Sequence, residues 1–343
     1  MAVHELAAFT NRAPELSRAD PYEGIADGRP AGQSIARKGT PRLAPNRTSQ
    51  CDFFVADILD AAPKGDMASM EHPLFALKAG DSRVRTYERN GCTVTVKPGH
   101  DGCATIHDKD LWIYCISQMI EARNAGQEVS RVVRFKAYDF LRATNRDTSG
   151  RAYIRMGEML ARLTGTRIET NIETAGRRER GFFGLVDSAK VVEHDRSNRM
   201  VAVEVTLPDW LFRSVEAMHV LTLNRDYFRL RKPLERRIYE LARKHCGTQP
   251  NWRISLAVLH HKSGSASPLR NFREDVRALV ESGHLPDYLM SYDPARDMVT
   301  FYAYGPKGRV AEAKDMLAGR PHAPVIAHEK AHARKARKRR ACS

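Results

Sequence analysis

The 343-residue sequence contains no run of about 18 apolar residues, the length that a membrane-spanning helix requires. Its first ten residues also lack the positively charged stretch and apolar core of a secretory signal. An amphipathic helix with a basic polar face, which would bind an anionic membrane surface, is missing as well. We therefore expect a cytoplasmic protein that has no membrane partner.

Metal-binding motifs are absent too. The six cysteines are scattered and form no C-x2-C pair, so neither a zinc site nor a disulfide framework is expected. His260 and His261 are adjacent, so they cannot both present ligands from one face of a strand. The spacing of His322, His328 and His332 matches no common metal-binding helix motif. We expect no metal and no cofactor.

The sequence also lacks a G-x-x-x-x-G-K-[ST] phosphate loop, which argues against a helicase or an ATPase of the AAA type. We find no catalytic constellation and expect that the protein is not an enzyme. Energy for unwinding DNA would then come from another protein. A rolling-circle nicking enzyme, which forms a tyrosyl-DNA adduct with the help of a divalent metal, stays open as an alternative.

Positive charge is what the chain has in excess. Its 56 Lys and Arg residues against 41 Asp and Glu residues give a net charge of +15. Such a balance is typical of a protein that binds a polyanion, and nucleic acid is the natural partner. The length suits two domains, and a hydrophobic fraction of 42% can form packed cores.

Both ends of the chain have the composition of disordered segments. Residues 1–69 are rich in Pro, Gly, Ser, Arg and Ala, and we expect them to be mostly disordered. Their one apolar island, Phe53–Leu59, is either a docking segment or a stray local helix. Residues 309–343 are predicted to form a basic tail, because Glu329–Ser343 carries seven Lys and Arg residues and one Glu.

The ordered part opens with two local patterns. Residues 84–96 alternate in polarity around Asn90-Gly91, which is typical of a β-hairpin with a type I′ turn. Residues 108–125 place apolar side chains at three- and four-residue spacing and stop at Gly126, which predicts an amphipathic helix.

A weak repeat follows. Val133–Phe140 matches Trp252–Leu259 in chemical character, and the same offset, 252 minus 133 or 119 residues, pairs Tyr153 with Phe272. Each copy is predicted to contain three helices and a closing hairpin, the order of a winged helix-turn-helix. The predicted hairpins are Leu185–Val192 with Val201–Leu207, and Tyr288–Tyr292 with Val299–Tyr304. Chance similarity between two amphipathic halves is the alternative.

The repeat predicts an α+β fold with tandem winged helix-turn-helix domains and disordered N- and C-terminal tails. The predicted domains are 70–208 and 209–308.

The third helix of each copy, Ser149–Thr164 and Ser267–Ser282, is the predicted DNA-reading element, because a helix-turn-helix sets its second helix in the major groove. Arginine pairs with guanine or phosphate, and asparagine reads adenine. A merely solvated basic face is the alternative. The candidate DNA-binding residues on these helices are Arg151, Arg155, Arg162, Arg270, Asn271, Arg273 and Arg277. Further candidates are Arg177, Arg178 and Arg180, in the loop before the predicted hairpin of Leu185–Val192 with Val201–Leu207.

Several stretches resemble one protein family. They are His72-Pro73 with Phe75, Asp110–Tyr114 (DLWIY), Arg134–Leu141 (RFKAYDFL), Gly150–Tyr153 (GRAY), Leu223–Phe228 (LNRDYF) and Arg236–Arg243 (RRIYELAR). Between Glu71 and Tyr304 the chain resembles the plasmid replication initiator protein A family.

The resemblance implies a protein that binds repeated double-stranded sequences at the origin of its plasmid and recruits host replication proteins such as a helicase or initiator. It also implies repression of the protein's own gene, and thus control of plasmid copy number. A winged-helix transcriptional regulator without initiator activity is the main alternative. Homodimer formation stays open.

Overall fold

The computed structural model describes residues 43–44, 62–89, 91–171, 173–174, 177–178, 181–193 and 200–324. The helices are α1 (Met67–Glu71), α2 (Asp110–Asn124), α3 (Ala137–Ala143), α4 (Gly150–Gly165), α5 (Asp209–Glu216), α6 (Pro233–His245), α7 (Leu256–Ser263), α8 (Leu269–Ser282) and α9 (Pro306–Leu317), with a 3₁₀ helix at Arg225–Arg229.

The strands are β1 (Lys64–Asp66), β2 (Arg85–Arg89), β3 (Cys92–Lys97), β4 (Val132–Lys136), β5 (Arg167–Thr170), β6 (Glu173–Thr174), β7 (Arg177–Arg178), β8 (Gly181–Gly184), β9 (Ser188–Glu193), β10 (Met200–Thr206), β11 (Val220–Thr222), β12 (Asn251–Ser255), β13 (Tyr288–Asp293) and β14 (Met298–Ala303). The fold is therefore mixed α and β. No helix in the ranges given above combines the length and apolar character that crossing a membrane demands.

Two halves of the described chain share one topology. The first runs α2, β4, α3, α4, β9, β10, with an antiparallel sheet in the order β4-β10-β9. The second runs α6, β12, α7, α8, β13, β14, with an antiparallel sheet in the order β12-β14-β13. The starts of β4 and β12, of α3 and α7, and of α4 and α8 all differ by 119 residues. The repeat seen in the sequence is thus a repeat of structure.

An additional sheet distinguishes the first half. The predicted hairpin is confirmed as β2 and β3, and Gly91 in its turn has a φ of 73°. Strands β5 and β8, which follow α4, extend this hairpin into a four-stranded sheet of order β2-β3-β5-β8. The sequence patterns did not predict β5 and β8.

Each half has its own apolar core. Trp112 and Phe140 are fully buried in the first core, and the indole Nε1 of Trp112 donates to the carbonyl oxygen of Leu185 at 2.7 Å. Tyr227 and Phe272 are fully buried in the second. Burying a large apolar side chain contributes about 1.5–3 kcal/mol, so these clusters hold each half together.

Ordered structure begins before residue 70. Strand β1 pairs with β11, and the carboxylate of Asp66 accepts from the backbone N–H of Ser69 at the start of α1. Ala44 exchanges hydrogen bonds with Arg229. These residues fall in the segment 1–69 that composition predicts to be mostly disordered, while the island Phe53–Leu59 lies outside the described residues.

Ordered structure continues past residue 309, where the basic tail was predicted to start: α9 runs to Leu317, and Ala323 is buried. Asp315 on α9 accepts a hydrogen bond from Tyr302 Oη at 2.8 Å and pairs with Arg253. This helix is held by buried carboxylates rather than by an apolar stripe, so apolar periodicity could not reveal it. Residues 329–343 lie outside the described part.

Candidate nucleic-acid interface

Helices α4 and α8, called the reading helices below, each bury one side and expose the other. The buried residues of α4 are Ala152, Met156, Met159, Leu160 and Leu163. Those of α8 are Phe272, Val276, Leu279, Val280 and Ser282. Each helix follows a shorter helix, α3 or α7, and presents its opposite side to solvent. The sequence therefore places both polar faces at the protein surface.

Arg151 and Arg270 occupy the same position in the two halves. Each is the second residue of its reading helix, and their numbers differ by 119, the repeat offset. Both side chains are exposed, and among the described residues neither guanidinium has an ion-pair or hydrogen-bond partner. Their donors are available to a ligand without breaking a contact.

Arg155 leans toward the start of α4. Its guanidinium lies 2.9 Å from the carboxylate of Asp147, which also accepts from the backbone N–H of Ser149. Both partners are substantially exposed, and a pair of this kind contributes only about 0–1 kcal/mol. A phosphate could displace Asp147 at little cost.

Arg162 forms an ion pair within the protein. It forms two 2.9 Å hydrogen bonds with the carboxylate of buried Asp108, just before α2. These bonds raise the pKa of the Arg162 guanidinium. The side chain ties the last turn of α4 to the start of α2, although its helix position suggested a ligand-facing residue.

On α8, Arg273 holds the β13–β14 hairpin. It contacts both carboxylate oxygens of Asp297 at 3.1 Å and Tyr292 Oη at 3.1 Å. Asp297 lies in the hairpin turn with a φ of 52°. The hydrogen bond between them raises the pKa of Arg273 and lowers that of Asp297. We call Arg273, Tyr292 and Asp297 the hairpin latch.

Arg277 and Asn271 complete the predicted set on α8. Arg277 lies 3.0 Å from Glu274 and 5.4 Å from the centre of the Tyr292 ring, next to the hairpin latch. Asn271 is exposed beside Arg270. The exposed pair Arg270-Asn271 therefore combines a guanidinium and an amide at the start of this helix.

The loop candidates are only partly placed. Arg177 and Arg178 form β7, which pairs with β6. Their side chains, and Arg180 altogether, lie outside the described residues.

Sequence reasoning missed two features of this surface. Ile154, on the outer face of α4, is 66% exposed between Arg151 and Glu158. A cleft of about 300 Å³ is lined by Arg146 and Arg155 from the first half and by Arg231 from the segment before α6. Ile154 could have been found from the sequence, because an isoleucine on the polar side of a helix is unusual. The cleft could not, because its lining residues come from distant parts of the chain.

Metal-ligating side chains are not gathered anywhere in the described ranges, where no group of three or more His, Cys, Asp or Glu residues could hold an ion. The ring Nε2 of His260 lies 2.8 Å from the carbonyl oxygen of Ser267, within the turn that leads to α8. His328 and His332 lie outside the described residues.

Comparison with known proteins gives a consistent answer. The family model for Replication initiator protein A matches residues 64–290. A protein of Wigglesworthia glossinidia brevipalpis described as "Putative replication protein" is 41% identical over 254 residues, which are 73% of this chain and 92% of that protein.

Two crystal structures of domains 2 and 3 of RctB, one of them of selenomethionine derivatives, are also similar. Their TM-scores are 0.46 and 0.47 at 12% and 10% sequence identity, and the matches cover 67% and 68% of this chain and 93% and 95% of those chains. Because the family model spans most of the described sequence and the curated relative matches nearly end to end, the chain belongs to the Replication initiator protein A family.

Proposed function

We propose that this protein initiates replication of a plasmid by binding repeated double-stranded DNA sequences at the plasmid origin. Binding uses two winged helix-turn-helix domains, near 70–208 and 209–308, with the β9–β10 and β13–β14 hairpins as wings. One observation carries the proposal: Arg151 and Arg270 stand exposed at the same position of two reading helices, and the two halves share the same order of helices and of strands in a three-stranded sheet.

The reading helices enter successive major-groove segments on one face of the duplex. In a helix-turn-helix the N-terminal residues of the second helix contact base edges, which is where Arg151, Arg270 and Asn271 lie. Arginine pairs bidentately with guanine, and asparagine pairs with adenine. Exposed Ile154 offers an apolar contact for the methyl group of thymine.

Other basic groups contact phosphate. Arg155 and Arg231 line the cleft beside the start of α4, and Arg177, Arg178, Arg180 and the basic C-terminal residues add charge elsewhere. Neutralising phosphates releases condensed counterions, so the affinity should fall steeply as salt is raised. The net charge of +15 supports this view.

The proposed role is binding rather than catalysis. Bound protein would recruit host replication proteins, such as a helicase or initiator, to plasmid DNA in the bacterial cytoplasm. If a binding site overlaps the promoter of its gene, the protein would also repress its own synthesis.

Footprinting on the DNA around the protein's own gene, with random DNA as competitor, tests the proposal. Protection of several short, evenly spaced repeats supports an initiator, and a plasmid carrying those repeats should replicate when the protein is supplied in trans. One protected palindrome upstream of the gene, without replication in trans, indicates a transcriptional regulator. A covalent tyrosyl-DNA adduct formed with a divalent metal indicates a nicking enzyme.

A further inference from the structure

Residues 107–110, which lead into α2, contact the turn before the first reading helix and also the last turn of that helix. The guanidinium of Arg146, in the turn before α4, donates to the carbonyl oxygen of His107 at 2.6 Å and to Asp110 at 2.9 Å. Asp108 holds Arg162 in the last turn of α4 through two hydrogen bonds. Residues 107–110 therefore hold α4 through contacts on both sides of the helix, at Arg146 and at Arg162.

The same four residues hold the first helix of the second half. Lys109 Nζ lies 2.8 Å from Glu240 on α6, and both side chains are 1% exposed. Asp110 lies 2.6 Å from Arg236, one turn earlier on α6, and this pair is also buried.

The two pairs have opposite polarity. Lys109 and Asp110 are consecutive in the chain, and they face Glu240 and Arg236, which lie one helical turn apart on α6. Each basic side chain therefore meets an acidic one. Sliding α6 by one turn would bring like charges together or leave a buried charge without a partner, and an unpaired buried charge is strongly unfavourable. The contacts therefore select one register between the halves, which an apolar contact of the same area would not do.

Helix α6 in turn positions the second reading helix. Glu235 lies 3.1 Å from Nε2 of His284, which directly follows the Gly283 cap of α8. Arg237 donates to the carbonyl oxygen of Lys262 in α7 at 2.8 Å. A continuous series of polar contacts, half-buried at α4 and buried beyond it, thus runs from α4 through residues 107–110 and α6 to the end of α8.

We propose that this series, here named the connector (residues 107–110 and 235–240), fixes the separation of the reading helices and so sets the number of base pairs between the two DNA segments that they bind. Its charged members are positioning residues, since their side chains are buried and paired with one another or with neighbouring elements. The inference rests on the proposed function. It adds that the affinity for one binding site depends on the number of base pairs between its two segments.

The experiment uses duplex probes that contain the protected site with one or two base pairs inserted or deleted between its two segments. Loss of protection in Arg151→Ala and in Arg270→Ala protein identifies which segment each helix binds. The connector variant is Asp110→Asn with Arg236→Gln, which removes one buried charge of each sign. The matched control is Lys97→Gln with Glu169→Gln, an exposed pair on the four-stranded sheet that carries the same charge change.

For wild-type and control protein, one inserted base pair should lower affinity by about tenfold or more, because the second helix can no longer bind together with the first. For the connector variant the loss should shrink to roughly threefold or less, since a looser joint lets both helices bind at the altered spacing. Should Asp110→Asn with Arg236→Gln fail to fold, Lys109→Met with Glu240→Gln provides the same test.

If affinity depends equally steeply on spacing in wild-type protein and in a folded connector variant, the connector does not set the spacing. A wild-type affinity that is insensitive to spacing would also overturn the proposal. Failure of the proposed function gives a different result. Either no DNA segment is selectively protected, or neither Arg151→Ala nor Arg270→Ala abolishes the protection of a segment.

Discussion

The carboxylate of Asp110 lies 2.9 Å from the guanidinium of Arg146 and 2.6 Å from that of Arg236. One buried acid therefore contacts the turn that precedes the first reading helix and also the first helix of the second half. In this way a single residue joins the two halves that the repeat defines.

Replacing Asp110 with alanine should lower the free energy of unfolding by about 3–5 kcal/mol, because two arginines lose their buried counter-charge. Chemical denaturation measures the change. The control, Asp209→Ala, removes the exposed partner of Arg213 and should change stability by about 1 kcal/mol or less. Similar losses for both variants would show that Asp110 does not act as a buried junction.

Arg151→Ala and Arg270→Ala should each weaken binding to the protected site by about 1–3 kcal/mol and relax the base preference at one position. Titration against specific and random duplexes gives both values. Equal losses on random DNA would show that these arginines clamp phosphates and do not read bases. Neither change should alter stability, since both side chains are exposed.

Ile154 should contribute to the recognition of thymine through its methyl contact. Replacing the contacted thymine with uracil should weaken wild-type binding by about 0.8 kcal/mol, roughly fourfold, which is the value of one buried methylene. Ile154→Ala protein should show no further loss on the uracil probe. If uracil weakens both proteins equally, the methyl group is bound elsewhere.

Asp297→Asn should loosen the β13–β14 hairpin, because it removes the charge that holds Arg273. Asparagine tolerates the positive φ of this position, so the backbone can keep its conformation. Faster amide exchange in the turn between Asp293 and Met298, with an unchanged denaturation midpoint, is the expected result. Unchanged exchange would show that the latch does not restrain the hairpin.

Acid should begin to destabilise the protein below about pH 6.5, the ordinary pKa of histidine. Burial lowers the pKa of His72 to about 4 and, with help from Arg236, that of His107 to about 3. Between these values and the ordinary 6.5 the unfolded chain binds protons that the folded chain does not, so stability falls as pH falls. Each histidine should contribute about 1.4 kcal/mol per pH unit in that window.

Denaturation at pH 7 and pH 5.5 tests this dependence. Substituting His107 with glutamine should flatten the pH dependence, whereas the same change at exposed His219 should not. An unchanged slope in the His107 variant would contradict the assignment.

Much of the fold was predictable because apolar side chains recur with the period of the element that they stabilise. The buried stripes of α4 and α8 and the alternation around Gly91 gave these elements directly. Strand pairing over long distances left no such pattern: β5 pairs with β3 about 70 residues upstream, and its position is set by the hairpin that it joins.

The site was harder to predict because polar partners come from other elements. Arg162 stands on the polar side of α4, but Asp108, 54 residues away in sequence, binds its guanidinium. Arg236 and Asp110 are separated by 126 residues. No local pattern can distinguish an arginine that faces solvent from one that meets a carboxylate of a neighbouring helix.

The most direct measurement is a footprint of wild-type, Arg151→Ala and Arg270→Ala protein on the DNA that flanks the gene, with random DNA as competitor. We predict several evenly spaced repeats, each with two adjacent protected segments, one lost in each variant. Protection without sequence preference, or both variants losing the same segment, would contradict recognition by two reading helices.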